Sequence, residues 1–168
     1  MKLKSIFLSA ALGVTIFAQT TTIQARNIQT LVVAGGTFWC VEADFESVGG
    51  VSEAVSGYAG GISENPTYKI LEGTGHYEVV KITYNDSIMT HRKLLDLFLC
   101  SVNPTDAGSQ FCDRGATYRT AIFIDGLKQR RTAAAAIKDT WVALGRTIVT
   151  PALKATTFYD AENYHQNY

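Results

Sequence analysis

Apolar and polar positions divide the chain into a leading apolar run and, after it, short strand-like stretches mixed with longer helix-like ones. Leu31-Val32-Val33-Ala34 predicts a buried strand ending at Gly35-Gly36. Phe38 to Val48 predicts a helix closed by Gly49-Gly50. Val51 to Tyr58 alternates in part and stops at Gly60-Gly61. Ile62 to Gly75 is rich in chain breakers and predicts a long loop. Tyr77 to Tyr84 places Val79, Val80, Ile82 and Tyr84 in a strand, followed by an Asn85-Asp86 turn. Thr90 to Val102 puts Leu94, Leu95, Phe98 and Leu99 on one helical face behind a good N-cap. Asn103 to Gly115 predicts a second long loop. Tyr118 to Ile124 is rich in β-formers and ends at Asp125-Gly126. Leu127 to Leu144 predicts an alanine-rich helix ending at Gly145. Ile148-Val149 and Thr156 to Tyr159 predict short strands, and Asp160 to Tyr168 a final helical turn. Strands and helices are thus interleaved. The expected fold is α+β, a two-layer sandwich of helices on a mostly antiparallel mixed sheet.

The leading run changes the picture of where the protein works. Met1-Lys2-Leu3-Lys4 is basic, Ile6 to Ala18 is nearly all apolar, and Ile23-Gln24-Ala25 resembles a small-residue cleavage site. That order predicts a secretory signal peptide over residues 1–25. The run falls short of the roughly 20 apolar residues a membrane span needs. Residues 26–168 show no repeat or linker and are expected to form one catalytic domain. Export to the periplasm or the medium, no stable membrane insertion after cleavage, and a monomer are the matching expectations.

Charge and composition narrow the function. The formal net charge is +0, and 18% of residues are charged. Losing Lys2 and Lys4 with the leader leaves 13 basic against 15 acidic residues. A nucleic-acid partner is therefore not expected. The cysteines are Cys40, Cys100 and Cys112, an odd count for an exported chain, which leaves one over as a candidate reactive thiol.

Gly36-Thr37-Phe38-Trp39-Cys40 lies where a buried strand gives way to a helix. A thiol in the first helical turn faces unpaired N–H groups and the positive end of the dipole. Both favour the thiolate, which is the nucleophilic form. Gly35 and Gly36 are expected to let a ligand approach the backbone, and Phe38 and Trp39 to line an apolar pocket. From these residues alone, a buried structural cysteine among core aromatics is an equal reading.

Gly36 to Cys40 resembles the Gly-Cys-Phe-Trp-Cys signature of class A peptide methionine sulfoxide reductases, with Thr37 in place of the first cysteine. Six further segments resemble that family in the same order. They are Gly57-Tyr58-Ala59-Gly60-Gly61, Asn65-Pro66-Thr67-Tyr68, Thr74-Gly75-His76-Tyr77-Glu78, Asp113-Arg114-Gly115, Tyr118-Arg119 with Ala121-Ile122, and Phe158 with Ala161 to Gln166. The resemblance runs from about residue 30 to the end and implies reduction of methionine (S)-sulfoxide, peptide-bound or free, in the repair of oxidised proteins.

It also implies roles. Cys40 is the expected nucleophile, with Phe38 and Trp39 as the wall that holds the substrate methyl group. Glu78 is the expected proton donor, desolvated on a buried strand so that its pKa rises. Tyr68 and Tyr118 are expected around the sulfoxide oxygen, and Asp113 is expected to orient the site. His76 is expected to be structural. Cys40 should pass through a sulfenic acid and then a disulfide. Cys112 is the candidate resolving cysteine, because Phe111-Cys112 stands where many members carry Gly-Asn. Cys100, at the end of an amphipathic helix, is expected in the core. A thioredoxin-like protein or a small thiol is the expected reductant. No metal or organic cofactor is expected, since His76, His91 and His165 show no ligand spacing with the cysteines. Two other classes compete: an exported module that binds methionine sulfoxide without turnover, and another thiol enzyme. A hydrolase would want a histidine base near Cys40, and an exchanger a Cys-x-x-Cys motif; neither is present.

Overall fold

The computed structural model describes residues 27–167. The expected leader, residues 1–25, lies outside them. In chain order the elements are β1 (Ile28–Gly35), α1 (Phe38–Glu46), β2 (Val51–Ala59), β3 (Tyr77–Asn85), α2 (His91–Ser101), β4 (Ser109–Gln110), β5 (Asp113–Arg114), β6 (Thr120–Ile124), α3 (Gly126–Leu144), β7 (Ala152–Lys154) and β8 (Tyr159–Asp160). Six strands form one sheet in the order β7-β6-β1-β3-β2-β8, and β4 and β5 pair apart from it. All neighbours are antiparallel except β6 and β7. The three helices pack on this open mixed sheet, which is the fold class the chain pattern predicts.

Local signals explain where the helices begin and end. Thr90 caps α2 by accepting a hydrogen bond from the Lys93 amide at 3.3 Å. Gly145 closes α3 in the left-handed conformation, φ 61°, and its amide donates to the Trp141 carbonyl. Leu94, Leu95 and Phe98 of α2 are fully buried against Leu31, Val33, Val80 and Ile82 of the sheet. The opposite sheet face carries a smaller cluster around Ala34, Tyr77, Val79, Ala121 and Phe123, with Phe158 packed on it. Both faces of the central strand are therefore covered at one end. Tyr77 to Val80 is buried without a break, and buried and partly open residues alternate only from Lys81 on.

Several expectations are corrected. The strand predicted at Ile148-Val149 is not formed. The parallel partner of β6 is Ala152–Lys154, in register Ile122 with Ala152, because the Pro151 carbonyl accepts the Ile122 amide. Thr156 to Tyr159 shrinks to the two-residue β8, and the final helical turn is a 3-10 turn at Asn163–His165. Cys100 is exposed rather than in the core. At 100° per residue it lies opposite the face bearing His91, Leu94, Leu95 and Phe98.

Edge strand β8 matters most for the site, because it delivers the C-terminal segment. Gly57 of β2 makes this approach possible: a Cβ there would stand 2.3 Å from Phe158 and 2.4 Å from the Tyr159 carbonyl oxygen. Beyond β8, the Gln166 side chain donates to the carbonyls of Ser56 and Ala161, each at 3.0 Å. Glu42 of α1, itself buried, accepts the amide and hydroxyl of Ser56 and the amide of Asn167. The last described residues are thus laced to α1 and β2.

Candidate active site

Strand β1 ends at a sharp turn, and α1 begins at once. Gly36 takes φ 92°, where a Cβ would stand 2.6 Å from that of Gln110. At Gly35 a Cβ would meet Val41, Val102 and Phe98. The expected room for a ligand at the two glycines is therefore filled by the protein itself. Their smallness serves close packing of the turn.

Thr37 is the N-cap of α1, yet its side chain does not cap the helix. The carboxylate of Glu78 takes that place, accepting the Phe38 amide at 3.1 Å. Glu78 reaches it because it shares a face of β3 with Val80, Ile82 and Tyr84, the row that packs under the helices. The residue is 1% exposed. Burial raises its pKa from the usual carboxylate range to about 7, and the negative charge of Asp113 adds to this. The hydrogen bonds from the Phe38 amide and the Thr37 side chain oppose the rise without cancelling it. Near neutral pH this carboxyl is divided between its two forms.

Cys40 is the third residue of α1. Phe38, Val41, Glu42 and Phe45 face inward, so position 40 points away from the core and the thiol is exposed. The expectation of an activated resting thiolate is corrected. Partial burial, then the charges of Asp44 and Asp113, push the Cys40 thiol above its ordinary range. Burial and the two carboxylates act against the pull of the helix start, which fades within a turn. The resting sulfur holds its proton.

Trp39 and Phe38 form an aromatic wall with Tyr68, from the 3-10 turn at Tyr68–Ile70. The Trp39 and Tyr68 rings stack at 6.5 Å and the Phe38 and Tyr68 rings at 6.3 Å. Phe38 itself is fully buried, so the half-buried Trp39 and the partly open Tyr68 present the accessible surface. Tyr118, from the 3-10 turn at Ala116–Tyr118, has its pKa pushed up to about 12 by burial first, then by Glu78 and by Tyr68, with which it shares a side-chain hydrogen bond. Both phenols and Glu78 line a cleft of about 530 Å³, together with Leu71, Gly73 and Arg114. Asp113 lies within electrostatic reach of Cys40, Glu78 and Tyr118.

Cys112 is exposed at the tip of a hairpin where the chain pattern predicts only a loop. Gln110 pairs with Asp113, so Phe111 and Cys112 form the two-residue turn. Such turns favour glycine or asparagine at left-handed φ. Phe111 nevertheless adopts φ 52°, a conformation that costs of order 1–3 kcal/mol. The structure brings Glu78, Tyr68 and Tyr118 around one cleft, with Trp39 stacked on Tyr68 and Cys40 next along the same helical turn. It leaves the Cys112 thiol exposed on the β4–β5 hairpin, outside the residues that line the cleft. His76 is buried, with one ring nitrogen accepting the Gly61 amide at 3.2 Å and the other 2.9 Å from the Ser63 carbonyl, which is a structural use of both.

Sequence reasoning assigned no role to the C-terminal residues that brace the wall. The Trp39 indole donates to His165 Nδ1 at 3.2 Å. Glu162 accepts the Tyr58 hydroxyl at 2.9 Å and the Tyr68 amide at 3.1 Å. The Ala161 to Gln166 segment was the available signal, though its pattern does not say what each side chain touches. Among the described residues no group of three or more His, Cys, Asp or Glu side chains is placed to hold a metal ion.

An exposed thiol lies two residues beyond the amide that binds a buried acid, and two phenols line a cleft with that acid, an arrangement of the class that thiol-dependent enzymes use. The comparisons give that class its family. The model of the peptide methionine sulfoxide reductase family matches residues 29–168. The MsrA peptide methionine sulfoxide reductase of Bacillus subtilis is 47% identical over 140 residues, covering 80% of this chain and 78% of that protein. MsrA 2 of Rhizobium meliloti is 43% identical, covering 86% and 73%. Among solved structures, methionine sulfoxide reductase A of Corynebacterium diphtheriae aligns at a TM-score of 0.73 with 29% identity, over 87% of this chain and 75% of that one. Reduced Mxr1 of Saccharomyces cerevisiae aligns at 0.77 with 26% identity, over 90% and 89%. The chain belongs to the peptide methionine sulfoxide reductase family.

Proposed function

We propose that Cys40 is the nucleophile and Glu78 the proton donor in the reaction of this family, the thiol-dependent reduction of methionine (S)-sulfoxide to methionine in protein repair. The observation that carries the assignment is the hydrogen bond from the Phe38 amide to Glu78. It ties a buried acid that titrates near neutrality to the helical turn that bears the thiol.

The substrate methyl group rests against Trp39, whose ring is held by His165 and by Phe38 behind it. The sulfoxide oxygen points toward Glu78 and the two phenols. The Cys40 thiol passes its proton to the Glu78 carboxylate, and the thiolate attacks the substrate sulfur while Glu78 delivers that proton to the oxygen. The oxygen leaves on Cys40 as a sulfenic acid that carries the proton, methionine departs, and Glu78 is a carboxylate again. One thiol and one sulfoxide thus give one sulfenic acid and one thioether. Asp113 keeps the proton available by disfavouring negative charge on both Cys40 and Glu78.

Cys112 then attacks the sulfenic sulfur, water leaves, and a Cys40–Cys112 disulfide closes. Placement of Cys112 directly before Asp113 supports this step, since Asp113 already senses Cys40. An external dithiol, a thioredoxin-like protein or a small thiol, returns two electrons and reopens the bond. Mixing residues 26–168 with a peptide carrying either sulfoxide epimer, without added thiol, is expected to yield roughly one methionine per chain from one epimer only, with Cys40 and Cys112 joined. Cys112→Ser should form the same methionine and stop at the sulfenic acid. Methionine formation with Cys112 still free in the parent chain would remove its resolving role.

Export of the enzyme is part of the proposal, supported by the basic start and apolar run before residue 26. N-terminal sequencing of the chain recovered from outside the cytoplasm is expected to begin near Arg26. A chain found only in the cytoplasm with Met1 retained would overturn it.

A further inference from the structure

We infer that Phe111 is the docking anchor for the protein that reduces the Cys40–Cys112 disulfide, a dithiol protein of the thioredoxin type; the inference rests on Cys112 as the resolving cysteine. Phe111 stands 79% exposed in a left-handed conformation that its Cβ disfavours, immediately before Cys112. The hairpin under it, by contrast, is firmly set. Gln110 is 1% exposed and packs on the Gly36 turn. Its side chain accepts the Asn103 amide at 2.7 Å and donates to the Asn103 carbonyl at 3.0 Å. A rigid base with a large apolar side chain at its tip is the geometry of an interface anchor, and aromatic side chains are enriched at such points.

The occupant follows from the neighbour. Reduction begins when a partner thiolate attacks the sulfur of Cys112, breaking the Cys40–Cys112 bond and releasing the Cys40 thiolate, which takes up a proton. A second partner thiol then closes the partner's own disulfide and frees Cys112. Two electrons pass to the enzyme, and the partner leaves oxidised. The attack needs the partner's surface seated against the residues flanking Cys112, and Phe111 is the apolar one.

The test compares Phe111→Ala and Phe111→Gly with the parent chain; glycine suits the left-handed φ, so at least one variant keeps the hairpin unstrained. Steady-state turnover is driven either by thioredoxin with its reductase and NADPH or by dithiothreitol. Both variants are expected to raise KM for thioredoxin about tenfold. Turnover with dithiothreitol, and the methionine and disulfide formed in a single turnover without reductant, should stay at parent levels. An unchanged KM for thioredoxin overturns the inference, as does a rise in KM for the sulfoxide peptide in its place. A parent chain that forms no Cys40–Cys112 disulfide in the single turnover overturns the underlying reading, and that result is obtained before any thioredoxin is added.

Discussion

Replacing Cys40 by serine is expected to bring methionine formation to background in a single turnover, a loss of more than about 10³-fold, while peptide binding stays near the parent affinity. The reason is bonding as much as nucleophilicity. A serine hydroxyl far below its pKa is a weak nucleophile without an adjacent base. Even an ionised serine would have to take up the oxygen as a hydroperoxide, with a weak O–O bond. Sulfur accepts the same oxygen as a sulfenic acid. The thiol is exposed on the outward side of α1, so its loss should change stability by no more than about 0.5 kcal/mol. Loss of activity would then not reflect loss of the fold. Single-turnover chemistry with a sulfoxide peptide, paired with a binding titration, checks both halves. A serine variant that still makes methionine would end the case for Cys40, and one that binds and behaves like the parent in every assay would favour a non-catalytic binding module.

The elements that were legible in the chain are those fixed by local chemistry. Thr90 announced α2 because an N-cap acts within three residues, and Gly145 ended α3 because only a residue tolerant of left-handed φ sits easily there. Glu78 was placed on a buried strand by the apolar residues around it. What local pattern does not carry is the order of strands. That β3 sits between β1 and β2, with Tyr58 of β2 opposite Glu78, is what sets the Glu78 row beneath α1. The same limit hid the short hairpin of β4 and β5, whose pairing is held at its base by Gln110 rather than by glycine at its tip. It also hid the brace from Glu162 to Tyr58 and to the Tyr68 amide, spanning 104 and 94 positions. The thiol showed a different kind of gap. A helix start argues for a thiolate, but partial burial opposes it first, then Asp44 one turn on and Asp113 from a distant hairpin. Local chain order carries one side of that electrostatic sum, and the fold supplies the other.

Glu78→Gln is expected to slow reduction by about 10²–10⁴-fold at neutral pH and to change the shape of the pH profile. In the free enzyme the carboxyl titrates near 7 and the Cys40 thiol above its ordinary range. Below both values the pair holds two protons, and there is no thiolate to attack. Between them it holds one proton, resting on sulfur. Moving that proton to Glu78 gives the attacking thiolate and the acid together, at no change in proton count. Above both values the thiolate has no donor beside it. So kcat/KM should rise with pH through about 7, stay level, and fall once Cys40 ionises, the two limbs belonging to the pair rather than to either residue. Glutamine keeps an acceptor for the Phe38 amide but has no proton to exchange. The limb near 7 should therefore vanish, and the residual rate should climb about tenfold per pH unit as the thiol ionises unaided. Because a raised carboxyl pKa means that the folded state loses stability as pH rises through the interval from the ordinary value of 4.5 to about 7, the glutamine variant should also resist denaturant at pH 8 at least as well as the parent. Slow turnover would thus be read on an intact fold. A Glu78→Gln profile that keeps the limb near 7, or a rate equal to the parent, would take the proton donor's role from Glu78 and pass it to the phenols of Tyr68 and Tyr118.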